Sequence, residues 1–300
     1  MTLFLGIDGG GTQTTCVVGN ETAVLGTGIG GGSNVVRVGE QAAGQALTTA
    51  IRRACAAAKV DPSDILDACI GAAGAARPEI QEALCRIVSS LIPGAIEVVG
   101  DTVTSLEAAF GEGPGVIVIA GTGSIAYGRN ALGQTARAGG WGFAVSDEGS
   151  GHWIGRTALS AALRARDEGA IPKLLDEARM IFGASSEEDL IVKANDAPDF
   201  AALVPAVLAA ADAGDVLSSR VLSLAGDELA SLAKALIARL FAATDKVPVA
   251  MVGGVFRNSA LVRQVFYNSV RSACPPAEVQ PAIVEPVLGA LARARRGKAS

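Results

Sequence analysis

The chain has 300 residues, half of them hydrophobic, with a mean hydropathy of +0.39 and a formal net charge of −5. That is length for two domains, and no apolar stretch reaches the roughly 18 to 20 uncharged residues of a membrane helix. Cys16, Cys55, Cys69, Cys85 and Cys274 are scattered, odd in number and without a CxxC pair, which argues against a disulfide framework or a zinc site. The only basic cluster is Arg293, Arg295, Arg296 and Lys298, so neither nucleic acid nor a membrane is an expected partner. No basic region precedes the first apolar residues, so no export signal is expected and the natural setting is a reducing cytoplasm.

Residues 3–8 read as an apolar strand that stops at Asp8, turns on Gly9, Gly10 and Gly11, and returns as a β-branched run through 16–18. A third strand is expected over 23–25, then a glycine-rich loop over 26–33 that ends at Ser33 and Asn34. Helical composition covers 40–58, with Asp61 and Pro62 as a stop. A short buried strand at 69–72 opens into a glycine turn, and Pro78 starts a helix over 78–91. Residues 96–100 are a strand that ends at Asp101, and 102–110 are the helix after it. The stretch 111–115 breaks the pattern and is the expected boundary.

Beyond it the scheme restarts: an apolar strand at 116–120, a turn of Gly121, Thr122, Gly123 and Ser124, and a second strand from 125. Residues 146–241 read as mostly helical, with Leu217, Val221, Leu224, Leu232, Leu236 and Leu240 as a core stripe. A strand at 247–252 opens into Gly253 and Gly254, a helix covers 259–270, and a last helix covers 286–296.

Three consecutive glycines leave no side chain over the first turn, so backbone N–H groups can approach an anion there. Thr12 and Thr14 add hydroxyls, and Asp8 at the strand tip could hold a hydrated divalent cation. The alternative is an ordinary glycine hairpin. No GxxxxGK[ST] stretch is present, so a P-loop is excluded. Gly121 to Ala126 fits a relaxed GxGxxA, but strand and turn residues follow where a dinucleotide fingerprint requires a helix. Two glycine hairpins, one from each half, could instead grip the phosphates of ATP across a cleft, with Gly253, Gly254 and Asn258 beside the adenosine.

Asp101, where a strand meets a helix, is placed either to accept a hydroxyl proton or to cap that helix. Trp141 and Trp153 fall within thirteen residues, among glycines and the carboxylates Asp147 and Glu148. A tryptophan face with nearby carboxylates suits a sugar, although Asp147 would also serve as a cap and Trp153 as core. His152, the only histidine, lacks an evident Ser or Cys partner. Asn34 offers an amide to the same ligand.

Taken together, DGGGTQT at 8–14, GD at 100–101, GTGS at 121–124, GGWG at 139–142, SDEGSGHWIG at 146–155 and GG at 253–254 resemble the N-acetylglucosamine kinase branch of the actin-like ATPase superfamily, the group containing the BadF/BadG/BcrA/BcrD-type ATPases. The resemblance implies an α/β fold of two ribonuclease H-like domains with a cleft between them: 1–112 with the last helix 286–297, and 113–285 with a helical insertion. It implies an ATP-dependent kinase acting on the 6-hydroxyl of an amino sugar, either N-acetylglucosamine or glucosamine, with N-acetylmuramic acid also open.

By the resemblance, Asp101 is the general base. Gly9, Gly10, Gly11, Thr12, Gln13 and Thr14 form the first phosphate motif and Gly121, Thr122 and Gly123 the second. Gly253, Gly254 and Asn258 hold the adenosine. Asn34, Asp101, Ser124, Gly140, Trp141 and Asp147 contact the sugar, and Asp8 and Asp101 hold Mg2+. Val35 and Val36 stand where the animal enzymes carry an aromatic residue. Sequence alone gives no oligomeric state, and a homodimer is compatible with it. Two other functions share this pattern: the ATPase activator of an acyl-CoA dehydratase or reductase, and a non-catalytic sugar sensor.

Overall fold

The computed structural model describes residues 2–196 and 199–297, so Lys298 of the basic cluster lies outside the described residues. The chain divides into two compact units, residues of 1–113 with 284–300 and residues of 114–283.

In the first unit, β1 (Leu3–Gly9), β2 (Gln13–Gly19) and β3 (Val24–Gly31) form an antiparallel meander. Helix α1 (Val35–Ala58) leads to β4 (Ile65–Ala72), α2 (Pro78–Ser89), β5 (Ala95–Gly100) and α3 (Asp101–Phe110). The sheet order is β3-β2-β1-β4-β5, with β1, β4 and β5 parallel. Gly9 pairs with Ala72 and Ala72 with Gly100, so these three strands end level with one another.

The second unit repeats the plan. Strands β6 (Gly115–Ala120), β7 (Ser124–Arg129) and β8 (Thr135–Gly139) form the meander. A helical stretch follows: α4 (Gly151–Asp167), α5 (Lys173–Phe182), α6 (Glu187–Asn195), α7 (Val204–Asp212) and α8 (Val216–Leu240). Then come β9 (Val247–Val252), α9 (Gly254–Asn258), α10 (Ala260–Ala273) and β10 (Ala277–Val284). Read from its other edge, as β8-β7-β6-β9-β10, the order matches the first sheet position for position. Among the described residues no single helix is long and apolar enough to cross a membrane.

Four local expectations are corrected. The glycine-rich segment after residue 25 is strand, not loop, because Gly26, Gly28 and Gly30 share the face on which α1 lies. A Cβ at any of the three would come closer than 3.0 Å to the backbone oxygen of Ala54, Ala50 or Ala46. Helix α1 starts five residues early, at Val35, and breaks at Gly39 (φ 79°, ψ 161°) before running on from Glu40. Strands β8 and β10 are edge strands that no periodicity announced. Pro281 and the small residues of β8 are tolerated there because an edge leaves one side of the ladder unpaired. Finally, the buried line of α8 runs through Val221, Ala225, Leu229, Ala233 and Leu236, while Leu224 is 44% exposed. Small residues win that face because α10 comes close: a Cβ on Gly226 would sit 2.8 Å from Val265 Cβ.

The C-terminal helix (Pro286–Arg296) packs on the first sheet and uses the terminal basic cluster to do so. Arg293 makes a bidentate pair with Glu97, Arg296 donates to the buried Glu107 at 2.6 Å, and Arg295 donates to the carbonyls of Asn20 and Ala23 at 2.8 and 2.9 Å. Its backbone passes Gly6 so closely that a Cβ there would lie 2.5 Å from Leu291 N. Gly6→Ala is therefore expected to lower unfolding free energy by more than about 2 kcal/mol. Gly44→Ala, mid-helix with nothing nearer than 3.8 Å to the new methyl, is expected to raise it by about 0.5–1 kcal/mol. Urea melts of both variants check the contrast.

Candidate functional site

In the first unit the glycine turn closes through Gly10 N–H to Gln13 O at 3.0 Å, leaving Gly11 and Thr12 at its tip. None of Gly9, Gly10 or Gly11 has a positive φ. Their value is the missing Cβ: one on Gly10 would lie 2.7 Å from Gln13 O, and one on Gly9 2.9 Å from Ser33 Oγ. Thr12 and Gln13 are exposed, but Thr14 is fully buried. Its hydroxyl lies 2.7 Å from both the Gly31 carbonyl and Ser33 Oγ, so it braces the turn from behind and is not presented to a ligand. Asn34 caps α1, its Oδ1 accepting from the N–H groups of Val36 and Arg37 at 3.1 and 3.3 Å. Only its Nδ2 donors remain for another partner.

Asp8 lies next to last on β1, in register with Gly71 of β4, and Asp101 follows the last residue of β5. The sheet therefore brings both carboxylates to one edge, two strands and about 10 Å of backbone apart. Asp101 is the first residue of α3, with Gly100 as the capping position, so it is not the N-cap. Its Oδ1 accepts from Thr102 N–H at 2.9 Å, and its carbonyl accepts the hydroxyls of Thr104 and Ser105. Burial pushes its carboxyl above the usual aspartate range, with the Thr102 N–H pulling the other way. The Thr104 and Ser105 hydroxyls, which lock the start of α3, were missed in the sequence because serine and threonine in a first turn are commonplace.

In the second unit Gly121 N–H donates to Gly123 O at 2.9 Å. The carbonyls of Gly121 and Thr122 accept from Gly151 and His152, so the turn rests on the start of α4. Ser124 is buried and donates to Glu148 O at 2.7 Å, which turns its hydroxyl away from a ligand role. Ser150, not Asp147, caps α4, accepting from Trp153 N–H. Asp147 has φ 64° and lies against the glycine turn: a Cβ on Gly123 would be 2.7 Å from its Oδ2. Burial raises its pKa, partly offset by N–H donors from Gly142 and Ser124.

Gly140 has φ 69°, and a Cβ there would meet Ile125 Cδ1 at 2.6 Å. Trp141 is 68% exposed, with the Arg137 guanidinium 3.9 Å above its ring. That partner was not legible, since β8 itself was not. Trp153 is partly buried and packs against the unit's core, and His152 lies beside the rings of Phe143 and Phe200 at 4.8 and 5.2 Å. Gly253 (φ 101°) would place a Cβ 2.5 Å from Ala120 O, which sets it beside the glycine turn. Gly254 begins α9, and Asn258 Nδ2 lies 3.9 Å from where a Cβ on Gly254 would be. Gly121, Thr122, Gly123, Gly253, Gly254 and Asn258 thus share one edge of the second sheet.

Two α/β units of the same strand order, each with a glycine turn at the end of its first strand, define the class: an actin-like ATPase fold, as in the sugar kinases of known structure. A candidate N-acetylglucosamine kinase from Chromobacterium violaceum superposes with a TM-score of 0.78 at 26% identity, over 97% of this chain and 98% of that one. A ROK family glucokinase from Streptomyces griseus shares the fold, with a TM-score of 0.65 at 17% identity over 98% and 100% of the two chains. The chain belongs to the BadF/BadG/BcrA/BcrD ATPase family, whose model matches residues 5–294. Among curated relatives, an N-acetylmuramic acid/N-acetylglucosamine kinase from Clostridium acetobutylicum is 34% identical over 86% of this chain and 87% of that protein. An N-acetyl-D-glucosamine kinase from Dictyostelium discoideum is 29% identical over 99% and 98%.

A Cβ on Gly121 meets nothing within 4 Å, whereas one on Gly123 meets the Asp147 carboxylate. Gly121→Ala is expected to leave the melting temperature unchanged and Gly123→Ala to lower stability by about 1–3 kcal/mol, read by thermal melts.

Proposed function

We infer that the chain is an ATP-dependent sugar kinase that transfers the γ-phosphoryl group to the 6-hydroxyl of an amino sugar, N-acetylglucosamine or glucosamine, with Asp101 as general base. Family membership and the kinase relatives support phosphoryl transfer from ATP to a sugar. The observation that carries the rest is Asp101 itself: a half-buried carboxylate whose pKa desolvation raises, fixed at the junction of β5 and α3 by the Thr102 N–H. Phosphoryl transfer to an alcohol needs alignment, charge neutralisation and a group to take the hydroxyl proton. Asp101 supplies that acceptor, and its raised pKa brings it nearer the pH at which a proton acceptor works well.

The backbone N–H groups of 9–13 and 121–123 are assigned to the ATP phosphates, and Gly253, Gly254 and Asn258 to the adenosine. For the sugar we assign Asn34 Nδ2, the face of Trp141 with the Gly140 backbone, and Asp147. The hydroxyls of Thr14 and Ser124 are left out of both sets because each is buried in an internal hydrogen bond.

We assign a hydrated magnesium ion to Asp8 and Asp101. Among the described residues no three His, Cys, Asp or Glu side chains cluster. Two carboxylates at one sheet edge match an ion that keeps most of its waters and takes phosphate oxygens as well. When bound, it neutralises phosphate charge. The dehydratase-activator alternative finds no support in the thiols. Cys16, Cys55 and Cys69 are buried, and the two partly exposed cysteines, Cys85 and Cys274, each stand without a second cysteine close by in the sequence.

A coupled ADP-release assay over a panel of amino sugars tests the reading, and no release with any sugar from well-folded protein would sink it. Asp101→Asn is expected to keep ATP affinity and lose about 10²–10⁴ in kcat. In the wild type, activity should fall on acidification at a pH above the range of an exposed aspartate, since the base works only when deprotonated. The same shift makes a stability prediction. A carboxyl with a raised folded pKa is destabilising above that pKa, so Asp101→Asn should be more stable than wild type at neutral pH. The difference should vanish as pH falls below the unfolded aspartate value, as pH-dependent melts would show.

A further inference from the structure

We propose that Arg263 is a positioning residue for the adenosine subsite: its guanidinium clamps the end of α9 and so fixes the direction in which Asn258 meets the nucleoside. The inference rests on the assignment of Gly253, Gly254 and Asn258 to adenosine made above. Helix α9 has only five residues, too few to be stable by its own hydrogen bonds. What holds it is α10. Phe256 is fully buried, with its ring edge-on to Phe266 of α10 at 5.0 Å. Ser259 ends α9 and caps α10 at once: its N–H donates to Val255 O at 3.1 Å, and its Oγ accepts from Val262 N–H at 3.2 Å. Asn258 therefore stands at the corner between the two helices.

The last carbonyls of a helix find no partner within it. Here Nη1 of Arg263, in the first turn of α10, donates to the carbonyls of both Phe256 and Arg257, the second at 3.1 Å. These are the two residues before Asn258. A charged donor makes a stronger bond to a carbonyl than a neutral one does. Arg263 is half-buried and directs its charge to carbonyls, whereas Arg293 and Arg296 of the C-terminal helix reach carboxylates. At its other end α9 is fixed by Gly253, whose backbone lies against Ala120 at the end of β6, the strand that leads into the second glycine turn. Asn258 and Gly254 lie on one face of α9, with Asn258 Nδ2 3.9 Å from the place of a Gly254 Cβ. Pinning both ends of so short a helix sets that face relative to the glycine turn. Arg263 acts on the nucleoside through this backbone and without touching it.

Calorimetric titration of the full-length protein with a non-hydrolysable ATP analogue and with inorganic tripolyphosphate tests the clamp, alongside kcat and KM. The variants are Arg263→Ala, Arg263→Lys, Asn258→Ala and the Arg263→Ala/Asn258→Ala pair, with melts to confirm folding and Arg271→Ala, further along α10, as control. Arg263→Ala is expected to weaken the analogue about tenfold, while tripolyphosphate affinity, the KM for sugar and kcat at saturating ATP stay within about twofold. Arg263→Lys, which keeps a charged donor, should recover part of the loss, and Arg271→Ala should lose nothing. Because Arg263 acts through Asn258, the double variant should bind no worse than Asn258→Ala alone. If Arg263→Ala does not fold, Arg263→Gln carries the same comparison. An equal loss for the analogue and tripolyphosphate, additive losses in the double variant, or wild-type affinity in the folded Arg263 variants would each overturn the clamp and leave the adenosine assignment standing. An Asn258→Ala variant that binds the analogue like wild type would instead overturn that assignment, and the clamp with it.

Discussion

Helices approach the first sheet at a distance that only a missing Cβ allows, and the placement of Asn34 and Asp101 follows from that. Gly26, Gly28 and Gly30 bring β3 onto the backbone of α1, which fixes where Asn34 starts that helix. On the other side Gly6 admits the C-terminal helix at Leu291, and a Cβ on Gly71 would collide with Thr104 at the start of α3. Asp101 therefore takes its position from small residues on strands other than its own. Close backbone approach also explains why so much glycine is compatible with stability: the entropy lost on ordering it is offset by contacts that a larger residue would forbid.

Electrostatics add a second, weaker constraint that acts within the first unit. The C-terminal helix is joined to its sheet by three arginines that reach Glu97, Glu107 and two backbone carbonyls. Arg293 and Glu97 are each about a quarter exposed, so their pairing is partly desolvated and geometrically defined, unlike a surface ion pair. The pair also lies beside Cys69, whose pKa is raised chiefly by burial. A run of basic residues that in isolation reads as a tail is thus a docking face, and its charge is used internally.

The two units solve the same problem with different residues behind the turn. In the first, Thr14 and Ser33 brace the glycines from inside. In the second, the start of α4 does so through Gly151 and His152, and the Asp147 carboxylate fills the space that Gly123 leaves open. The consequence is that hydroxyl residues in and beside the glycine turns divide into two kinds. Thr12 is exposed, while Thr14 and Ser124 point inward, although all three look alike in the sequence.

The sequence by itself determined the strand-turn-strand repeat, the junction of β5 with Asp101, the second glycine pair and the family. Each of these is local: apolar runs of strand length, glycines at turns and short fixed spacings survive without knowledge of the fold. What only the tertiary structure decided was which face each side chain takes and what lies against it. The extent of strand β3 was hidden because its glycines, although spaced by two, carry no side chain to give an apolar signal; they are there for the helix that lies on them. The edge strands β8 and β10 take their pairing from neighbours remote in sequence, and the buried face of α8 was set by α10. The turn after Asn34 and the turn after β4 meet only in the folded chain, where Val36 lies against Gly74, some forty residues on. Contacts of that kind arise from chain packing in three dimensions, and no window along the sequence contains both partners.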